Sequence, residues 1–154
     1  LLDDGTLLTE SVAICRYLDE FHPEPSLFGV NALEKAEIEM WHRRMELEGL
    51  QPTADAVRNS VDFFKNRALS GPADFEQIPA LAERGLIRIE LFHQMLEMRL
   101  AESKFVAGAS FSIADIAAVT AIDFGKVVKK RVEDETPNLK RWYAEVSARP
   151  SSGA

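Results

Sequence analysis

The chain has 154 residues, 46% of them apolar, which suits one domain with a real core, or one domain plus part of another. Its formal charge of -7 argues against nucleic acid or an anionic membrane as the main partner. A single cysteine excludes an internal disulfide, and no apolar run approaches the ~20 residues that span a bilayer, so we expect a soluble, cytoplasmic protein.

The N-terminal residues predict a hairpin followed by a helix. Leu1-Leu2 and Leu7-Leu8 flank an Asp-Asp-Gly-Thr turn, and the segment from Ser11 to Phe21 is amphipathic. The apolar residues at the spacing of one buried helix face are Ile14, Tyr17, Leu18 and Phe21, with Cys15 expected as a small core side chain. The turn-rich stretch 23–30 then has the composition of a linker between two packed units.

The pair Glu10-Ser11, at the start of this helix, suits a ligand that carries both an amine and a carboxylate. The first-turn N–H groups and the Ser11 hydroxyl would bind the carboxylate, and Glu10 would bind the amine. The alternative is an ordinary helix start, capped by Thr9 or Ser11.

Beyond the linker the pattern predicts helices only. Asn31 and Glu34 have the form of a capping box, and Pro52 predicts a kink or break near Gln51 before the pattern resumes as far as Phe64. A long helix should begin at Pro79, and Gly85 inside it indicates that another backbone approaches closely. Its predicted core stripe is Leu81, Gly85, Ile89, Phe92, Leu96 and Leu100.

The segment from Phe105 to Ile116 holds the most specific motif. Ser112 and Asp115 form a predicted capping box at the start of a helix that is apolar on nearly every side from Ile113 to Phe124. Such a helix belongs at the centre of a bundle. The capping geometry accounts for Asp115, so we assign it a structural role rather than a catalytic one.

Three parts of the chain resemble the glutathione S-transferase family. The string from Gly108 to Ile116 is similar to the one that opens the central helix of the family's all-helical C-terminal domain. A second set of residues resembles the last regular helix of that domain: Thr136-Pro137-Asn138-Leu139, Trp142, Val146 and Arg149-Pro150. A third set resembles the final strand pair and third helix of the family's thioredoxin-like domain: Asp4-Gly5, Leu8, Glu10-Ser11, Ala13-Ile14 and Tyr17-Leu18.

The resemblance implies a mainly all-α fold, in which the C-terminal helical bundle follows a remnant hairpin and helix of a thioredoxin-like α/β domain. The implied boundaries are 1–22 for the remnant of the glutathione-binding domain, 23–30 for the linker and 31–154 for the helical domain. The family's thiol-activating Tyr, Ser or Cys and its cis-proline lie before the point where this chain begins. We therefore nominate no catalytic residue, and the subclass stays open.

The resemblance also implies a set of site residues. Glu10 and Ser11 would hold the γ-glutamyl end of glutathione. By position, Arg43 and Arg44 would contact glutathione, while Glu46 and Leu50 would line the pocket of the second substrate. The alternative for these four is a solvated or interfacial helix face.

The function implied is a cytoplasmic, homodimeric detoxification enzyme that conjugates the thiol of glutathione, its substrate, to a small hydrophobic electrophile, or that uses glutathione as a reductant. A non-catalytic ligand carrier or protein-interaction scaffold is the alternative. No metal is expected, because His22, His42 and His93 lack ligand spacing. The sequence does not identify the electrophile.

Overall fold

A computed structural model describes residues 1–152, so the last two residues of the predicted helical domain lie outside the described part of the chain. The helices are α1 (Ser11–Phe21), α2 (Ala32–Arg44), α3 (Gln51–Arg58), α4 (Pro79–Glu102), α5 (Ile113–Gly125) and α6 (Pro137–Ser147). A π-helical turn, Met45–Leu50, joins α2 to α3, and short 3-10 turns occur at Asp62–Phe64, Lys126–Val128 and Pro150–Ser152. No sheet is present within residues 1–152, and the mainly all-α prediction is confirmed.

The predicted N-terminal hairpin is wrong. The Leu2 N–H donates to the Thr6 carbonyl at 2.9 Å and the Gly5 N–H donates to the Leu2 carbonyl at 3.0 Å, which closes a turn. No strand forms on either side of that turn. Two short arms without a third strand to pair with have too little stability to persist as a sheet.

The predicted extent of α1 is confirmed, but its apolar face is not buried. The exposed fractions of Ile14, Leu18 and Phe21 are 38%, 51% and 65%, and Cys15 is exposed as well. Amphipathic spacing indicates that one face of a helix is suited to burial, but it does not identify the part of the protein that packs against that face. The helix is held instead at its polar side, where Asp19 accepts hydrogen bonds from the Leu27 N–H at 2.8 Å and the Ser26 hydroxyl at 3.1 Å.

The helical segment from α2 to α3 contains the irregularity that Pro52 predicts. Proline has no N–H to donate to the carbonyl of Glu48, so the regular hydrogen-bond ladder fails just before it. The chain adopts the π-helical turn over that stretch, and a single turn inside a longer helix is the form in which the rare π-helix usually occurs. At the start of α2, Asn31 accepts from the Leu33 and Glu34 N–H groups at 3.1 Å, while the Glu34 carboxylate reaches Val30 N–H at 3.0 Å rather than Asn31.

Helix α4 packs against α3 at a point where only glycine fits. A Cβ on Gly85 would lie 2.6 Å from the Pro52 carbonyl oxygen and 2.7 Å from the Ala56 nitrogen, which confirms the predicted close approach. The buried stripe of α4 also matches the prediction except at its first position, where Ala82 is buried and Leu81 only half-buried.

Helix α5 is the centre of the bundle. It carries eight buried residues and contacts α2, α3, α6 and the π-helical turn. The core around it is Met45, Phe92, Leu96, Leu100, Phe105, Val106, Ala114, Ala117, Ala118, Ala121, Ile122, Leu139, Trp142 and Val146. This cluster draws on α4, α5, α6, the π-helical turn and the loop before α5, so α1 lies outside the main core.

The start of α5 is closed by hydrogen bonds to Asp115. Its carboxylate, which is 0% exposed, accepts from the Ser112 N–H at 3.0 Å, the Val106 N–H at 2.9 Å and the Trp142 indole N–H at 2.8 Å. The Ser112 hydroxyl accepts from the Ala114 N–H at 3.3 Å and completes the capping box. Asp115 therefore joins the loop before α5 and the middle of α6 to the central helix.

Candidate functional site

A cleft of about 260 Å³ lies between the start of α1 and the second half of α2. It brings together Glu10 and Ser11 with two of the four other predicted site residues, Arg43 and Glu46. Its full lining is Glu10, Ser11, Val12, Glu39, His42, Arg43 and Glu46. The cleft is smaller than a typical drug-sized pocket of roughly 300 to 1,000 Å³, so it has room for only part of a ligand of that size.

Glu10 occupies the N-cap position of α1 in an unusual backbone conformation. Its φ of 68° and ψ of 121° lie where residues other than glycine are seldom found. Its side chain makes no capping hydrogen bond and is exposed to the cleft. Backbone strain of this kind, at a residue whose side chain makes no capping hydrogen bond, is typical of functional positions.

The first turn of α1 presents an anion-binding end to the cleft. The first N–H groups of any α-helix lack partners within the helix, and the helix dipole adds a partial positive charge there. Because Glu10 does not cap these groups, the backbone at Ser11 and Val12 and the Ser11 hydroxyl are available to a ligand. A carboxylate is the group that this end would bind.

The acids of the cleft differ in their partners. Glu39 pairs with Arg16 at 2.5 Å, and Glu46 pairs with Arg43 at 2.7 Å. Glu10 forms no ion pair with any residue of the described chain, which leaves its carboxylate for a cation. An unpaired acid beside a helix N-terminus is complementary to a ligand with an amine and a carboxylate on the same carbon.

Three residues of the cleft, Val12, Glu39 and His42, were not predicted from the sequence, and His42 is the most buried of them. It is only 3% exposed, its Nδ1 has no hydrogen-bond partner among the described residues, and its Nε2 lies 3.9 Å from a Glu46 oxygen. A signal was present, because Glu39, His42, Arg43 and Glu46 have the three- and four-residue spacing that places side chains on one helix face.

Arg44 and Leu50 lie away from the cleft. The Arg44 guanidinium stacks on Trp41, 4.6 Å from the ring centroid, and pairs with Glu48 at 3.2 Å. Leu50 packs against the central core. The structure thus separates these two from the four predicted residues that line the cleft.

No group of three or more His, Cys, Asp and Glu side chains within residues 1–152 is placed to hold a metal ion. Over the same residues, no helix combines the length and apolar character that crossing a membrane requires.

The chain matches known proteins over nearly its whole length. The family profile described as Glutathione S-transferase, C-terminal domain, matches residues 71–150. The chain is 37% identical over 153 residues to Glutathione S-transferase 2 of Saccharomyces cerevisiae, an alignment that covers 97% of this chain and 62% of the yeast protein. The chain therefore spans less than two thirds of that relative's length.

A solved structure is also similar to this chain, and so is the sequence of an elongation factor. The crystal structure of Gtt2 from Saccharomyces cerevisiae superposes with a TM-score of 0.87 at 33% identity, covering 99% of this chain and 71% of that one. The chain is also 29% identical over 136 residues to Probable elongation factor 1-gamma 2 of Arabidopsis thaliana, covering 87% of this chain and 30% of that protein.

Proposed function

Because the chain belongs to the glutathione S-transferase family, we propose that it supplies part of the glutathione site of a glutathione transferase. The observation that supports this most is the unpaired Glu10 carboxylate beside the uncapped start of α1. Glutathione has one α-amine and one α-carboxylate on its γ-glutamyl end. In our proposal Glu10 binds the amine, and Ser11 with the first-turn N–H groups binds the carboxylate.

The reaction proposed is attack by the glutathione sulfur on a small hydrophobic electrophile. A C–S bond forms, the leaving group departs with its electron pair, and the thiol proton passes to solvent or a base. Since free thiols have pKa values near 8.5, the reactive species is the minority thiolate at neutral pH. The contribution of this chain is to hold the γ-glutamyl end and so fix the position of the sulfur. Reduction by glutathione would use the same binding contacts.

We also propose that the protein acts in the cytoplasm as a homodimer formed through α2 and α4. Exposed apolar side chains recur every seven residues along α2 and the π-helical turn, at Leu33, Met40 and Leu47. Helix α4 exposes a second set, Ile87, Leu91 and Met98. Two such stripes suit burial against a second copy. Analytical ultracentrifugation of the Leu91→Lys variant should then show a monomer where the wild type sediments as a dimer.

Calorimetric titration of the full-length protein tests the glutathione site. Glu10→Gln removes the charge that binds the amine, so glutathione affinity should fall about tenfold or more, each charged hydrogen bond being worth roughly 1.5 to 3 kcal/mol. Glutaryl-cysteinylglycine, which has the same skeleton without the amine, should bind both proteins equally. Glu83→Gln, an exposed acid on α4 outside the cleft, is the matched control. If Glu10→Gln binds glutathione as tightly as Glu83→Gln does, Glu10 does not hold the amine.

A non-catalytic scaffold is the second candidate, and the similarity to an elongation factor 1-gamma supports it. The two candidates differ in turnover. A transferase should conjugate glutathione to chlorodinitrobenzene, releasing chloride, with a rate that falls in Glu10→Gln. A full-length protein that binds partners but shows no conjugation or glutathione-dependent reduction would favour the scaffold.

A further inference from the structure

His42 is a buried histidine to which the described fold gives no hydrogen-bond partner at Nδ1. Its side chain is 3% exposed although it lines the cleft between α1 and α2. The Nδ1 atom is buried and has no partner among residues 1–152. The Nε2 atom lies 3.9 Å from the Oε1 atom of Glu46, which is longer than a hydrogen bond of ~2.7 to 3.2 Å. Buried polar groups are nearly always hydrogen-bonded, so this histidine indicates a role beyond packing.

The two ring nitrogens of His42 differ in what they can reach. Nδ1 is sealed in the interior, whereas Nε2 is directed toward Glu46, a second residue of the cleft lining. A buried N–H without an acceptor is rarer in folded proteins than a buried acceptor without a donor. In its neutral form the ring therefore carries its hydrogen on Nε2 and presents an N–H donor to the cleft.

Arg43 holds the carboxylate of Glu46 away from this donor. The Arg43 guanidinium donates to the Oε2 atom of Glu46 at 2.7 Å, and the two residues are three apart on one helical face. With Oε2 engaged in this way, Oε1 stays beyond hydrogen-bond distance of His42. The Nε2–H group is thus left for an acceptor on a ligand.

The charges around His42 favour an uncharged acceptor. Among the described residues that line the cleft, Arg43 is the one arginine or lysine, and Glu46 already engages it. Glu39 is paired with Arg16, which lies outside the lining. A ligand carboxylate placed beside His42 would meet the Glu46 carboxylate without a free cation, and like charges at such distances repel. A carbonyl oxygen accepts the same hydrogen bond without a formal negative charge.

We propose that His42 is a specificity-determining residue, whose Nε2–H donates to the carbonyl oxygen of the amide that follows the γ-glutamyl group. This rests on the proposed function, in which Glu10 and Ser11 hold the amine and the carboxylate at the other end of the same group. Glutathione has an amide carbonyl at this position, whereas free glutamate has a second carboxylate there. The cleft therefore selects a γ-glutamyl amide over glutamate, which carries the same amine and α-carboxylate.

The test is a calorimetric titration of the full-length protein with glutathione, combined with displacement of glutathione by glutamate. Asparagine places its amide nitrogen near the position of Nδ1, and glutamine places its own near that of Nε2. His42→Asn should therefore weaken glutathione binding about tenfold, equivalent to about 1.4 kcal/mol, while His42→Gln should stay within about threefold of wild type. His22→Asn, the same change at an exposed histidine outside the lining, is the matched control and should bind as wild type does.

The ratio of the two affinities separates a ligand contact from a structural role. In His42→Asn the preference for glutathione over glutamate should fall about tenfold, because only glutathione loses a hydrogen bond. A histidine that merely supported the fold would weaken both ligands equally when replaced, and would lower the midpoint of thermal unfolding measured by circular dichroism.

Three outcomes would overturn the assignment of His42. The first is equal glutathione affinity in His42→Asn and His22→Asn, the second is an equal loss for glutathione and glutamate, and the third is binding by His42→Gln as weak as by His42→Asn. If Glu10→Gln weakens glutathione binding and His42→Asn does not, the proposed function stands and this inference fails. A wild-type protein that binds no glutathione would overturn both.

Discussion

The starts of α1 and α5 use the same residue types in opposite ways. Each has a serine and an acid at the first turn, Glu10-Ser11 in one and Ser112 with Asp115 in the other. At α5 the serine is the N-cap and the acid lies at the third helical position, so each side chain reaches the other's backbone. At α1 the acid is the N-cap, the serine is the first helical residue, and no capping bond forms.

The surroundings of the two helix starts differ as much as the bonding. Ser112 and Asp115 are fully buried, and three separate parts of the chain donate to the Asp115 carboxylate. Glu10 and Ser11 are exposed beside a cleft. The position of an acid relative to the first helical residue therefore decides between a structural cap and a group that is free to bind a ligand.

Asp115→Ala should have the largest effect. The substitution removes the cap and leaves the Val106 and Trp142 N–H groups without their acceptor inside the core. Each unsatisfied buried donor costs about 1 to 3 kcal/mol, so the free energy of unfolding should fall by about 3 kcal/mol or more. Urea denaturation monitored by tryptophan fluorescence measures it. A midpoint equal to that of wild type would contradict the structural role.

Ser112→Ala and Ser11→Ala make the comparison directly. Ser112→Ala should cost about 1 kcal/mol, the usual loss on removing an N-cap. Ser11→Ala should leave the stability within about 0.5 kcal/mol, because the exposed hydroxyl caps nothing. Thermal unfolding of the two variants measures both values. Equal losses in the two would show that both serines act as caps.

Glu10→Gly should raise stability while it weakens glutathione binding. Glycine adopts positive φ without the steric cost that Glu10 bears, so the gain should be up to about 1 kcal/mol. Asp115→Gly, its counterpart at α5, should instead be strongly destabilising. The pair of thermal unfolding measurements, with a glutathione titration of Glu10→Gly, checks the prediction. A destabilised Glu10→Gly would mean that the Glu10 side chain supports the fold.

The pH dependence of stability should differ in sign between a buried and a surface carboxylate. Burial raises the pKa of Asp115 above 3.8, although its hydrogen bonds oppose this. The contribution of Asp115 to stability is fully present at a pH below the pKa that it has in the unfolded chain. It is lost as the pH rises through the higher pKa of the folded protein. The free energy of unfolding of wild type minus that of Asp115→Asn should therefore fall with rising pH.

Glu97 provides the opposite case. Desolvation alone would raise its pKa, but hydrogen bonds from the Leu139 and Asn138 N–H groups at the start of α6, with Arg141 nearby, lower it below 4.5. The contribution of Glu97 to stability is fully present at a pH above the pKa that it has in the unfolded chain. It is lost as the pH falls through the lower pKa of the folded protein. The difference between wild type and Glu97→Gln should grow as pH rises. This is the smallest of the expected effects. If the stability differences for Asp115→Asn and Glu97→Gln changed in the same direction with pH, the opposite roles given to the two carboxylates would be contradicted.

Local sequence determined much of this fold. The capping box at Ser112, the limits of α1 and the apolar spacing of α4 from Gly85 onward all follow from interactions within a few turns of one helix. They depend on steric limits and hydrogen bonds between neighbouring residues, which the sequence contains directly. The irregular turn before Pro52 follows from a missing N–H in the same way.

Contacts between distant residues were decided only by the tertiary structure. The sequence suggested that Ile14 and Leu18 face a core, whereas they remain 38% and 51% exposed in the described chain. Apolar spacing along a helix does not determine which other part of the protein packs against it. The sequence also placed Arg44 and Leu50 with Arg43 and Glu46, yet rotation along the α2–α3 segment separates them. Helix spacing places His42 on the same face as Arg43 and Glu46, but the cleft forms only because the start of α1 lies beside the second half of α2, which no local interaction encodes.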